Sequence, residues 1–298
     1  MSDDNKWEGR SRGTTLGYKI FIWLLKVGGL GATYKLLYFV TLYYRWFAPD
    51  AISPLRHLYA KRLGYDKKQT DKLVRKNLIT FGQTIIDKIA VLSGVKNKLT
   101  FAHDGVENIE QMVAAGKGGI LLSAHLGNWE TAGHLLKRVN SVINIVMYDG
   151  EADSIKQYME QYNEQRSFNI ILIKDDLSHI YEMSAALNRN ELVCLHGDRF
   201  RAGNRTIRKE FLGKEAEFPA GPFILASKLK APVCFVFAFK ETNFHYHFYA
   251  YPPAVYDGKG MTGANKMLDD YVGLLETKIK EYPSQWFNYY DFWNDDES

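Results

Sequence analysis

Hydrophobic residues are distributed in three textures along the chain. The first, Tyr18 to Ala48 (YKIFIWLLKVGGLGATYKLLYFVTLYYRWFA), is almost wholly apolar between spaced cations. In the second, Leu73, Leu78, Phe81, Ile85, Ile89 and Leu92 recur at helical spacing, with Asp66 placed to cap the helix and Gly94 to stop it. Beyond about residue 118, short apolar runs alternate with amphipathic stretches. GGILLS, VINIVMY, FNIILIK, ELVCLH and APVCFVFAF read as strands, and FHYHFYAY alternates like an additional one. Between and after them, 127–138, 152–166, 177–188, 220–229 and 262–281 read as helices. Strands apolar on both faces and separated by helices predict an α/β fold, a mostly parallel central sheet flanked by helices. In such sheets reactive groups gather where strands end and helices begin.

The first texture decides where the protein resides. Its longest charge-free run, Leu36 to Tyr44, is 9 residues, far short of the roughly 20 of an uninterrupted transmembrane helix. On one continuous helix Lys26 and Lys35 would lie on opposite sides, since successive residues turn by about 100°. The GGLG at 28–31 between them is placed to break or kink the helix. A bent or re-entrant membrane anchor with snorkelling cations is favoured, with a single tilted span close behind and a buried core helix third. No small-residue cleavage site follows, which argues against a removed signal peptide. Charge agrees: residues 1–80 carry 15 Lys/Arg against 6 Asp/Glu, the rest 23 against 28. A basic, greasy N-terminal quarter suits an anionic membrane surface, and Arg45, Arg56, Lys61 and Arg62 place the remainder on the cytoplasmic side. The expected fold is therefore α/β with an N-terminal hydrophobic helical membrane anchor.

Composition narrows the rest. At 298 residues, 46% hydrophobic and 24% charged, the chain is globular and long enough for a real core. Cys194 and Cys234 sit in separate apolar runs and read as buried thiols, which argues against a disulfide framework or metal site and for a reducing compartment. Aromatics are not interleaved with the basic cluster as a nucleic-acid stacking platform requires, so no nucleic-acid partner is expected.

One stretch is odd for the end of a buried strand: LLSAHLGNWE, in which His125, Asn128, Trp129 and Glu130 follow an apolar run. It has two readings. Either the strand simply ends in a helix cap, or His125 is a general base whose tautomer and charge Glu130 supports. No G-x-S-x-G elbow occurs, so such a base would activate a substrate hydroxyl and not an enzyme serine. A second polar block, CLHGDRFRAGNRTIRKEFLG, leaves a strand into Asp198, Arg199, Arg201, Arg205, Arg208 and Lys209. It is either a flexible exposed cluster or a site where Asp198 and Arg199 meet a phosphate-bearing ligand. In EFPAGPF, Pro219 and Gly221 open a helix whose free N–H groups can receive an anion or oxyanion. Other candidates fade. GKGG at 116–119 lacks phosphate-loop spacing, no G-x-G-x-x-G is present, and His245 and His247 lack a third nearby metal ligand. His134 reads as a surface or packing residue.

HLGNWE, CLHGDRFRAG, FLGKEAEFPAGPFILASKLKAPVCFVF and YPSQWFNYYDFW, in that order, resemble the late (secondary) acyltransferases of lipid A biosynthesis, within the lysophospholipid acyltransferase superfamily. The likeness runs from about residue 18 to about 293. It implies an anchor segment over 1–60, a catalytic domain over 61–298, and acyl transfer from an acyl carrier protein or CoA thioester to a hydroxyl of a membrane lipid. It implies no metal and no further cofactor, a bacterial inner-membrane location, His125 as base and Glu130 as its partner. Asp198 and Arg199 fall in the family's second polar block, with Arg201 beside them, and Gly221 in the segment opening the following helix; Asn128 and Trp129 belong to the first block. Two departures stand out. MYDGEADSIKQY offers Asp149, Glu151 and Asp153 where the family carries arginines facing a phosphorylated acceptor, and NYYDFWNDDES replaces a basic run. Both favour a less anionic acceptor: an aminoacyl lipid, another glycolipid or a polyene-type lipid. An acyl thioesterase and a non-catalytic lipid-binding membrane protein are the remaining alternatives.

Overall fold

The computed structural model describes residues 15–47, 49–92, 95, 97–129, 131, 139–148, 168–174 and 176–293. In chain order its strands are β1 (Thr100–Asp104), β2 (Gly119–Ser123), β3 (Ile143–Met147), β4 (Asn169–Leu172), β5 (Leu192–His196), β6 (Thr206–Phe211), β7 (Lys214–Pro219), β8 (Pro232–Thr242), β9 (His245–Ala250) and β10 (Ala254–Val255). Its helices are α1 (Thr15–Phe47), α2 (Pro49–Arg56), α3 (Lys67–Leu92), α4 (Val106–Ala114), α5 (Ser178–Asn188), α6 (Ala220–Leu229) and α7 (Thr262–Glu281). Most of the expected helices at 127–138 and 152–166 lies outside the described residues.

An eight-stranded sheet runs β1-β9-β8-β2-β5-β3-β4, with β10 paired to β8. From β8 to β4 every neighbour is parallel; β9 turns back antiparallel on β8, and β1 joins β9 in parallel. The expected mixed, mostly parallel sheet flanked by helices is what forms. All of β2 is buried, as a strand covered on both faces must be. On one face Leu122, Leu195, Phe223, Phe235, Tyr271 and Trp286 join the main core. On the other, Leu121, Leu192 and Cys234 meet Ile109 and Met112 of α4. The basic block after β5 is not wholly a loose cluster: its second part enters the antiparallel hairpin β6–β7, where Arg208 reaches Glu215 and Glu217 and Lys209 pairs with Asp269.

The N-terminal stretch is one long helix broken where the glycines stand. Gly29 has φ 67°, ψ −175°, a conformation open to glycine, and α1 kinks there. Ile20–Thr41 is 22 residues long and apolar enough to cross a membrane. Its inner face packs Ile22, Leu25, Leu30 and Leu37 on Ile86, Ile89 and Ala90 of α3. The outer face leaves Trp23 at 63%, Val27 at 71% and Phe39 at 67% exposed, which water disfavours and a lipid surface accepts.

A buried ion pair fastens this helix layer to the sheet. Lys240 Nζ of β8 lies 2.5 Å from Asp87 Oδ2 of α3, with both side chains nearly inaccessible. Asp87 also accepts from Tyr246 Oη of β9 at 2.5 Å and from Tyr34 Oη of α1, while Lys240 donates to Asn243 O. Burial pushes the Asp87 carboxyl up and the Lys240 ammonium down; their mutual attraction and the donors around Asp87 oppose both shifts. Removing one partner strips the other of its counter-charge in a buried site. Lys240→Met should therefore cost about 3–5 kcal/mol of unfolding free energy, read as a lower urea midpoint in detergent. Asp87→Leu combined with Lys240→Met should recover most of that loss; equal effects of the single and double variants would show that the pair contributes nothing specific.

Candidate active site

Strand register builds the site. Ser123 of β2 pairs with His196 of β5 in a parallel ladder, so the residues two places further on, His125 and Asp198, leave the sheet side by side. Both stand at the carboxyl ends of adjacent parallel strands, where such sheets bind ligands. The His125 backbone N–H donates to Asp198 Oδ2 at 2.8 Å, and His125 Nδ1 lies 2.8 Å from Asp198 Oδ1. The two contacts together fix the carboxylate edge-on to the imidazole.

Asp198 is buried, with a side chain 1% exposed, whereas His125 keeps 18%. Burial alone would raise the Asp198 pKa, but the charge and hydrogen bond of His125, with Arg199 and His196 beyond, hold it well below the ordinary carboxylate range. An ionised Asp198 places the proton on Nδ1 and the basic lone pair on Nε2. The ring is thus poised to take a proton through its outer nitrogen.

The chain turns sharply after His125. Gly127 has φ +80°, and a Cβ there would lie 1.9 Å from Ala238 O, so no other residue fits. Asn128 N–H donates to Ala238 O at 2.7 Å, and its buried amide donates to Thr84 O and Tyr246 Oη. Trp129 stands beside His196, ring centroids 5.0 Å apart. It also lines an apolar cavity with Ile109, Leu121, Val139, Val236 and Phe248, on the α4 face of the sheet.

A strap from the end of the chain closes the site from below. Gln285 O and Phe287 N–H bond to Gly127 N–H and His125 O, and Trp286 bridges Leu126. Fully buried Trp286 points its indole Nε1–H at Asp198 Oδ2, 3.2 Å away, and Tyr290 Oη donates to Asp198 O. Arg199 donates to Phe287 O at 2.6 Å.

Of the residues expected from sequence, the structure brings together His125, Asn128, Trp129, Asp198 and Arg199. Asp198, expected beside a ligand phosphate, is hydrogen-bonded to His125. Arg201 stacks on Tyr148, its guanidinium 4.1 Å from the ring centroid, and Gly221 stands exposed in the first turn of α6. Glu130, expected as the partner of His125, lies outside the described residues, as do Asp149, Glu151 and Asp153. Sequence reasoning missed Trp286, Tyr290 and His196. Only the equal offset of His125 and Asp198 beyond paired strands could have suggested the contact between them, and register is not visible in one sequence. Among the described residues no group of three or more His, Cys, Asp or Glu side chains is placed to hold a metal ion.

A family model described as "Bacterial lipid A biosynthesis acyltransferase" matches residues 63–294. The phosphatidylinositol mannoside acyltransferase of Mycobacterium tuberculosis (strain ATCC 25618 / H37Rv) is 29% identical over 125 residues, 41% of this chain and 39% of that protein. The protein of the same name from Mycolicibacterium smegmatis is 24% identical over 184 residues, 61% of this chain and 58% of that one. The chain therefore spans between about two fifths and three fifths of these curated relatives. Among solved structures, the 1-acyl-sn-glycerophosphate (LPA) acyltransferase from Thermotoga maritima aligns over 85% of this chain and 99% of its own, with 12% identity and a TM-score of 0.38.

The indole on Asp198 generates a direct test. A hydrogen bond to a charged group contributes about 1.5–3 kcal/mol, so Trp286→Phe should lower turnover roughly tenfold or more if Asp198 must be held in place to work. Turnover per folded molecule equal to wild type would make Trp286 a packing residue only.

Proposed function

Because the chain belongs to the bacterial lipid A biosynthesis acyltransferase family, we propose that it transfers a fatty acyl group from an acyl carrier protein or CoA thioester to a hydroxyl of a membrane glycolipid. The observation that carries this reading is the 2.8 Å contact between His125 Nδ1 and buried Asp198. It makes a base of Nε2 at a strand end, and the family match supplies the kind of substrate such a base serves. The acceptor hydroxyl gives its proton to Nε2 as its oxygen attacks the thioester carbonyl carbon. The imidazolium formed is stabilised by Asp198. The tetrahedral adduct then collapses, the C–S bond breaks, and Nε2–H returns the proton to the departing thiolate. Each proton and electron pair is accounted for without an enzyme-bound acyl intermediate.

Glu130 is retained as a second acidic partner of His125 beside Asp198. Asn128 anchors the turn, and Arg201, stacked on Tyr148, is assigned to phosphates of the donor. The apolar cavity beside Trp129 is suited to the acyl chain, since it is lined by hydrocarbon and Trp129 joins its wall to the first polar block.

A glycolipid acceptor is favoured over a bis-phosphorylated one. The curated relatives carry names that specify a phosphatidylinositol mannoside, and Arg208 and Lys209 of the basic block already face Glu215, Glu217 and Asp269. The exposed apolar face of α1 would rest in the membrane, with the catalytic domain on the cytoplasmic side where acyl thioesters are made.

The test uses full-length protein with palmitoyl-CoA or palmitoyl-acyl carrier protein and vesicles carrying a phosphatidylinositol mannoside, with products read by mass spectrometry. Acylated glycolipid is expected. Free fatty acid alone would make the protein a thioesterase, and preferential acylation of a lipid A precursor would overturn the acceptor. A positioned base contributes about 10²–10⁴-fold, so His125→Ala should lose at least about a hundredfold in turnover. Asp198→Asn should do likewise because the amide no longer stabilises the imidazolium, and the double variant should be little worse than either. Glu130→Gln should lose less than Asp198→Asn. Separately, Ala250 also lines the cavity, so Ala250→Phe should narrow it and move donor preference to shorter acyl chains; an unchanged chain-length profile would place the acyl chain elsewhere.

A further inference from the structure

His196 is a half-buried imidazole that the proposed reaction leaves without a task. It ends β5, and alternation along the strand turns it away from Leu195 and the main core, toward the face holding Cys194 and the apolar cavity. Its ring is wedged between two site residues: centroid 4.4 Å from His125 at 62°, and 5.0 Å from Trp129 at 81°. His196 thus touches both the base and Trp129, a residue of the cavity wall. An acyl thioester whose chain occupies the cavity and whose carbonyl faces His125 therefore runs past His196.

That carbonyl oxygen gains negative charge in the transition state and needs a donor aimed at it. The backbone of the catalytic turn is a poor source. His125 N–H is bonded to Asp198, Gly127 N–H to Gln285 O and Asn128 N–H to Ala238 O. Arg199 is bound to Phe287 O. Unlike those three backbone N–H groups, His196 makes no hydrogen bond through either ring nitrogen among the described residues. We propose that His196 is the oxyanion donor of the site, its ring N–H hydrogen-bonding the thioester carbonyl oxygen as that oxygen becomes charged. The proton stays on His196 throughout; the group polarises the carbonyl and transfers nothing.

The electrostatics suit a neutral donor. Burial lowers the His196 pKa well below its ordinary value, His125 and Arg199 lower it further, and Asp198 opposes them. A neutral imidazole has one N–H to give and does not compete with His125 for the acceptor's proton. A cation there would also repel the imidazolium that His125 becomes.

The inference rests on the acyl-transfer reading above, and the experiment separates the two. In the full-length protein, with palmitoyl-CoA and phosphatidylinositol mannoside vesicles, His196→Phe keeps an aromatic ring between His125 and Trp129 but removes the donor. Turnover should fall about 10²–10³-fold with little change in KM, and His196→Gln, which restores an N–H, should recover at least tenfold of that loss. An acceptor-independent readout is the infrared carbonyl stretch of palmitoyl-CoA labelled with ¹³C at the thioester carbon. It should shift to lower frequency when bound to wild type and to His125→Ala, and return to the free value in His196→Phe. Wild-type turnover in His196→Phe while His125→Ala is inactive would overturn the role of His196 and leave the base intact, as would an unshifted stretch in bound wild type. Failure of palmitoyl-CoA to bind, or full activity in His125→Ala, would overturn the underlying reading and this inference with it.

Discussion

A carboxylate sealed beneath a strand end has to be held by donors or it will not stay ionised, and much of the architecture follows from meeting that demand at Asp198. Its oxygens receive the His125 ring nitrogen, the His125 backbone N–H and the Trp286 indole. The first two come from the neighbouring strand end, the third from residues near the end of the chain. A parallel β2–β5 pair in the right register is needed to supply the former, and a strap folded back under the sheet to supply the latter. Glycine at 127 is needed because the turn presses against Ala238. The active geometry is thus over-determined, which is what keeps a buried charge from relaxing into a neutral acid.

The Asp87–Lys240 pair applies the same logic to attachment. It draws α1, α3, β8 and β9 onto one buried charge centre, and Tyr246 in that centre also accepts from the Asn128 amide. The helix bearing the exposed apolar face is therefore linked by continuous hydrogen bonds to the turn that carries His125. Such a linkage favours a single docking geometry between membrane layer and catalytic sheet, where apolar packing alone tolerates sliding.

Much of the fold was legible in the sequence because apolar runs at strand length, punctuated by helical stretches, have few other solutions. The strands around GILLS, INIVM and LVCLH fall within the expected runs, and the kink at Gly29 lies within the glycine cluster expected to produce it. Where pattern and structure part company, side chains satisfy one another locally. β6 and β7 carry so many charges that they read as a loop, yet their cross-strand Arg–Glu pairs sustain a hairpin. β1 is half exposed at the sheet edge and α4 short, so neither stands out by hydrophobicity. In the site, His125 was conspicuous as an imidazole ending an apolar run. Asp198 was visible as a residue but not in its role, since the contact between them spans 73 positions and depends on register. Trp286 lies further away still and shows nothing in sequence but an aromatic among aromatics.

The strap also orders events in time. Residues 283–293 leave the ribosome after every other part of the described site, so a growing chain already displays the apolar helix α1, the His125 turn and Asp198 before anything lies beneath them. Until Trp286 and Phe287 slide under the sheet, the carboxylate lacks a donor and the turn lacks its bridge. The His125 turn and Asp198 therefore reach their complete set of hydrogen bonds only when the last part of the described site has folded beneath them. Synthesis direction acts as a timer, with maturation tied to the last stretch of the site to emerge.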